Sequence, residues 1–185
     1  AKGFVPNSIN IGLDSNFAMW VGEMIPDIKQ SILLVAEPGK EEESIIRLSR
    51  VGYDNTIGYL DGGFDAWKKA GKETDQVARI TAEEFEQRYA SKPLVFDVRK
   101  KSEYDSEHVQ GATNVPLNRI NEHLAQFPKD KPFILHCAGG YRSMIAASIL
   151  KARGWDNFVD VESGFSGIKK TGVKVTEYVC PTTLL

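Results

Sequence analysis

The sequence predicts an α/β protein built from two copies of one unit, each a mostly parallel sheet with helices on both faces, with the first copy truncated at its N-terminus. Three observations lead there. Short apolar runs alternate with amphipathic stretches, the pattern of parallel strands joined by crossover helices. The chain also repeats itself at a spacing of roughly one hundred residues. Val5 to Leu13 matches Val109 to Leu117, Ser31 to Val35 matches Pro132 to His136, Val51 to Ile57 matches Arg153 to Val159, and Asp61-Gly-Gly-Phe matches Glu162-Ser-Gly-Phe. Finally, the copies begin differently: the stretch Val77 to Glu107 precedes His108 in the second, whereas only Ala1 to Gly3 precede the matching point in the first.

Taken in chain order, Ser31 to Val35 is the first strand, and Glu41, Glu42 and Glu43 form the first turn of the helix after it, where acidic side chains satisfy the helix dipole. Polar and charged residues between Gly71 and Gln76 interrupt the apolar pattern, which separates a domain at 1–73 from one at 74–185. Thr81-Ala-Glu-Glu84 is a capping box that opens a helix to about Tyr89. Strands are expected near Leu94 to Asp97, Phe133 to His136 and Asn157 to Val161, with functional loops at their C-terminal ends. A helix follows from Ser143 to about Arg153. The first copy lacks the counterpart of a central strand, and a bare strand edge invites aggregation, so it is read as part of a longer protein, with an oligomeric packing as the alternative.

The chemistry concentrates in Phe133-Ile-Leu-His-Cys137-Ala-Gly-Gly-Tyr-Arg142-Ser143. An apolar strand delivers Cys137 into a glycine-containing loop, and the helix begins at once. A helix N-terminus stabilises a thiolate through its unpaired N–H groups and its positive dipole end, and Arg142 adds a permanent charge. Gly139 and Gly140 let the loop curl so that the N–H groups of Ala138 through Ser143 point inward. A buried cysteine ending a core strand is the bland alternative; strand, cysteine, glycines, arginine and helix in this order make a nucleophile site instead. In the first copy the same place reads Ala36-Glu-Pro-Gly-Lys-Glu41-Glu42-Glu43, with alanine for the nucleophile and Pro38 removing a loop N–H, so that copy is expected to be catalytically dead.

Composition narrows the classes. A net charge of −2, with Lys and Arg scattered, gives no basic patch for nucleic acid. No run approaches a membrane span and no signal peptide is evident, so a cytoplasmic location is expected. Two cysteines make no disulfide framework, and Cys180, without a glycine loop or following helix, reads as a bystander. The three histidines are dispersed, so no metal site is expected.

Four residues separate Cys137 from Arg142, one fewer than in the phosphate loop of cysteine phosphatases. This Cys-x4-Arg loop resembles that of the rhodanese family, sulfurtransferases that carry sulfane sulfur as a cysteine persulfide. Asp97-Val-Arg99, Glu103-Tyr104 and His108-Val-Gln-Gly-Ala-Thr-Asn-Val-Pro116 resemble the same family's pattern, with Glu107 where glycine is usual. The resemblance implies a scaffolding role for Asp97, Arg99, Glu103 and His108, with Arg99 and Glu103 paired and His108 structural. It implies that Cys137 takes sulfur from thiosulfate or a low-molecular-weight persulfide and yields it to a thiol, cyanide or sulfite, with no cofactor. The loop N–H groups from Ala138 to Ser143 would hold the thiolate and persulfide, Arg142 the anionic end of the donor; Ser143 would cap the helix and donate to sulfur, and Tyr141 would line the mouth. The first half, from Glu37-Pro-Gly-Lys to Gly58-Tyr-Leu-Asp-Gly-Gly-Phe-Asp-Ala-Trp67, resembles the inactive repeat in fusions of a metallo-β-lactamase-fold domain with two rhodanese domains, which are similar to persulfide dioxygenases. That implies an upstream metal-binding domain as partner. The rival readings are a non-catalytic sulfur-binding or interaction module of a larger enzyme and a cysteine phosphatase or arsenate reductase.

Overall fold

The structure, a computed structural model, describes residues 3–14 and 16–180. Ala1 and Lys2 at the start of the first copy, Ser15, and residues 181–185 after Cys180 lie outside the described residues. The chain divides into two compact units, Ala1–Gln76 and Val77–Leu185.

The first unit contains α1 (Phe17–Met24), β1 (Ile32–Leu34), α2 (Glu41–Ser49), β2 (Thr56–Tyr59) and α3 (Gly63–Lys69). Helix α1 follows from apolar residues at helical spacing, since Phe17, Trp20, Val21 and Met24 all turn inward. Phe17, Val21, Leu48 and Tyr53 form the core, with Ile32 and Leu34 of β1 packed against it. Strands β1 and β2 pair in parallel, with an irregularity between Ile32 and Leu33 because Thr56 and Gly58, not successive residues, are their partners. The opposite face of this small sheet is open: Leu33 is 65% and Ile57 66% exposed. Among the described residues β2 is the only strand that pairs with β1.

The second unit continues with β3 (Arg79–Ile80), α4 (Ala82–Tyr89), β4 (Leu94–Asp97), α5 (Lys101–Ser106), β5 (Thr113–Asn114), β6 (Phe133–His136), α6 (Tyr141–Ala152), β7 (Phe158–Val161) and α7 (Gly164–Ile168), with 3-10 turns at Leu117–Glu122 and Leu124–Gln126. The five strands are all parallel, in the order β3-β7-β6-β4-β5. Strand side chains alternate between faces. Val95, Ile134 and Val161 therefore share one face and bury against Phe85 of α4 and Phe165 and Ile168 of α7. The aromatic rings of Phe96, Phe127, Phe133 and Phe158 pack together, and α6 lies against β6 and β7. The capping box is formed, with Thr81 N–H donating to Glu84 at 2.8 Å and Glu84 N–H to Thr81 Oγ1 at 3.2 Å.

Two expectations need correction. Helix α6 begins at Tyr141 instead of Ser143, because Gly140 takes a left-handed conformation at φ +97° and serves as the N-cap. Arg142 and Ser143 are thus the second and third residues of the helix. Gly139, in contrast, is not at positive φ and has open space around it, so only Gly140 is used for the curl of the loop.

Candidate active site

The order β6-β4 in the sheet places the ends of two apolar strands side by side, with Asp97 in register with His136. Cys137 follows β6 and is 1% exposed. The Gly140 N–H donates to its Sγ at 3.2 Å. The loop backbone is held from α7, where the Phe165 N–H donates to the Cys137 carbonyl at 2.7 Å and the Ser166 N–H to that of Ala138 at 2.9 Å. This close approach needs Gly164: it sits at φ +53°, and a Cβ there would lie 2.5 Å from the Cys137 oxygen. The first unit keeps this buttress without the cysteine, since a Cβ on Gly63 would lie 2.3 Å from the Ala36 oxygen. There Lys40 occupies the N-cap, Glu41, Glu42 and Glu43 fill the first turn of α2, and Lys40 is bound to Glu43 at 2.8 Å.

The charged groups pair differently from the expected scheme. Arg99 does not meet Glu103: its guanidinium grips Asp97, with Nε 2.8 Å and Nη2 2.6 Å from Oδ2, and stacks 4.0 Å over the Phe165 ring. Residues two apart at the end of a strand leave on the same side, which makes this the nearer pairing. Glu103 instead turns across to α6 and takes Arg142, at 2.5 Å from Nη1 to Oε2 and 2.9 Å from Nη2 to Oε1. The Arg142 guanidinium is held above its ordinary pKa by the Glu103 hydrogen bonds and then by the charges of Glu103, Cys137 and Asp97, against burial. Burial pushes the Glu103 carboxyl up, but the bonds and charge of Arg142 outweigh it and hold it below the usual range. The carboxylate of Glu103 thus fixes the orientation of the Arg142 guanidinium.

His108 Nδ1 bonds the Tyr104 carbonyl at 2.7 Å and its ring stacks on Tyr104. Glu107 is extended at φ −169°, so glycine is not needed there; its carbonyl accepts from Arg99 Nη2 at 2.8 Å. Ser143 is buried and is not the cap, and its hydroxyl donates to the Gly140 carbonyl at 3.3 Å. Tyr141 is half-buried. Cys180 is exposed.

Sequence reasoning passed over three groups beneath the loop. His136 is fully buried, with Nδ1 3.1 Å from the Cys137 carbonyl, which can only accept, so Nδ1 carries the proton. Burial pushes the His136 pKa down, so the ring is neutral. Asp160 on β7 is also inaccessible, and Arg79 reaches it from β3. A charged residue inside the run Phe158-Val-Asp-Val161 was the available signal. Among the described residues no group of His, Cys, Asp and Glu could hold a metal ion, and no helix is long and apolar enough to cross a membrane.

Parts of the chain are similar to known proteins. A curated relative, the uncharacterized protein YqhL of Bacillus subtilis, is 34% identical over 96 residues, 52% of this chain and 73% of YqhL. The thiosulfate sulfurtransferase PspE of Escherichia coli is 36% identical over 80 residues, 42% of this chain and 76% of PspE. The probable adenylyltransferase/sulfurtransferase MoeZ of Mycobacterium tuberculosis is 36% identical over 75 residues, which is 40% of this chain but only 19% of MoeZ. A rhodanese-like domain protein of Staphylococcus aureus, known as a crystal structure, is 30% identical, with a TM-score of 0.49 over 55% of this chain and all of that one. The Rhodanese-like domain family matches residues 1–70 and 81–171. With both copies matched and the Cys137 loop, its Gly164 buttress and its paired arginine assembled in the second, the chain belongs to the rhodanese-like domain family.

Proposed function

We propose that the second unit is a sulfurtransferase that moves sulfane sulfur from thiosulfate or a low-molecular-weight persulfide to a thiophilic acceptor through a Cys137 persulfide. The observation that carries this reading is the Cys137 sulfur accepting the Gly140 N–H at the N-terminus of α6, with Arg142 in the first turn of the helix. The Cys137 thiolate attacks the outer sulfur of thiosulfate, the S–S bond breaks with its electron pair leaving on sulfite, and Cys137 carries the sulfur as a persulfide. Cyanide, a thiol or sulfite then attacks the outer persulfide sulfur and the thiolate is regenerated. No electrons enter or leave, so no redox partner is required. Donor groups of the loop and Arg142 offset negative charge at both stages.

The first half, with Ala36 and the acidic first turn of α2, acts as a non-catalytic module, and its resemblance to fusion proteins favours a metallo-β-lactamase-fold domain as companion. A reducing cytoplasm suits a reactive thiol. The test is mass spectrometry after incubation with thiosulfate, together with transfer to cyanide. One reducible sulfur on Cys137, and loss of transfer in Cys137→Ser but not in Cys180→Ser, is the expected result. An unmodified Cys137 under thiosulfate and glutathione persulfide alike would leave the second unit a binding module.

A further inference from the structure

We infer that the Arg79–Asp160 pair sets the electrostatics of the Cys137 loop, with Asp160 opposing the thiolate and Arg79 offsetting Asp160. Both are positioning residues, not members of the reacting set. Arg79 and Asp160 are in register on β3 and β7, so their side chains leave the same face of the sheet. Arg79 Nε donates to Asp160 Oδ2 at 3.1 Å, and Nη2 donates to the Glu162 carbonyl at 3.2 Å. The pair lies near the active loop: a Cβ built on Gly140 would stand 2.5 Å from the Glu162 oxygen and 3.4 Å from Arg79 Nη2. Gly140 is the residue whose N–H holds the sulfur. The Glu162 carbonyl that Arg79 holds therefore packs beside the residue that donates to the nucleophile.

Asp160 is costly where it stands. Its side chain is inaccessible, and Oδ1 has no hydrogen-bond partner. An apolar residue would serve a core strand better. The two repeats differ at this point, since Leu135 pairs with Asp160 in the second unit and Leu34 with Tyr59 in the first. The unit with the thiol has the buried carboxylate, and the unit without it does not. The groups facing Asp160 are Arg79 from β3, Glu162 from the end of its own strand, and the Ser143 hydroxyl from the first turn of α6. That turn also supplies the positive helix end beside Cys137, so carboxylate and thiolate compete for one dipole. Burial raises the Asp160 pKa to about 6, against the opposing influence of nearby Ser143 and Arg79, which leaves the carboxylate charged at neutral pH and close to its switching point.

The test reads thiolate formation directly, so it stands whether or not sulfur is transferred. In a Cys180→Ser background, the ultraviolet absorbance of the Cys137 thiolate is followed against pH, with Cys137→Ser as blank. Asp160→Asn should move the thiolate midpoint to lower pH and raise the thiolate fraction severalfold below it. Arg79→Met should move the midpoint to higher pH, and the double variant should return close to the parent. The parent curve should also carry an inflection near pH 6 that Asp160→Asn lacks, a sign that survives even if Arg79→Met does not fold. Midpoints that stay in place while thermal stability changes would reduce the pair to a structural one, and shifts of the same sign in both variants would overturn the inference.

Discussion

Replacing Asp160 with asparagine should make the second unit more stable at neutral pH, although it removes an ion pair. The carboxyl is inaccessible, and burial raises its pKa from 3.8 to about 6 despite Arg79 and Ser143. Because the folded value lies above the unfolded one, the stability linked to the protonated group is fully present below 3.8 and is lost as pH rises through about 6. A shift of about two units at about 1.4 kcal/mol each amounts to about 3 kcal/mol at pH 7. Asparagine keeps an acceptor for Arg79 Nε but leaves the guanidinium, which is 23% exposed, without its counter-charge, so a net gain of about 1–2 kcal/mol is expected. Urea denaturation of parent and variant at pH 5 and pH 7.5 measures it. The advantage of the variant should grow between the two pH values. A variant less stable than the parent by the same amount at both would show that the carboxylate is a net stabiliser through Arg79, and the burial argument would fail.

Further outcomes follow from the same geometry. Gly164→Ala places a Cβ 2.5 Å from the Cys137 oxygen at φ +53°, so it should cost about 2–3 kcal/mol and most of the transfer activity, whereas Gly63→Ala should destabilise the first unit and leave transfer intact. Glu103→Gln keeps a partner for Arg142 but removes its counter-charge, so steady-state kinetics should show a lower KM for thiosulfate with kcat nearly unchanged; an unaltered KM would count against Arg142 as the anion contact. Ala36→Cys in a Cys137→Ser background should give no transfer in the cyanide assay, because Pro38 has no N–H to offer and Glu41, Glu42 and Glu43 repel an anionic donor. A rate comparable to the parent would mean that the loop environment does not activate the nucleophile.

What could be read from the sequence was carried by the backbone. Parallel strands, the Thr81 capping box and the loop from Cys137 to the helix all depend on local composition, and each is present. The pairing of charges could not be read in the same way. Whether Glu103 meets Arg99 or Arg142 depends on where α5 comes to lie beside α6, which follows from β4 and β6 being neighbours in the sheet. The sequence points to a later start for α6 because serine is a good cap on average, while Gly140 at positive φ starts the helix two residues earlier. Asp160 was hidden by its neighbours, since a polar residue in a short apolar strand reads as its solvent face unless its burial is known.

The open face of the β1–β2 sheet predicts self-association at high concentration. Leu33 and Ile57 stand in solvent on a parallel pair that, among the described residues, no further strand extends, the arrangement that recruits strands from neighbouring molecules. Light scattering should therefore rise with protein concentration, and a Leu33→Lys, Ile57→Thr variant should suppress it without altering the turnover of Cys137. Colloidal behaviour would then be adjustable in a part of the molecule that carries none of the sulfur chemistry.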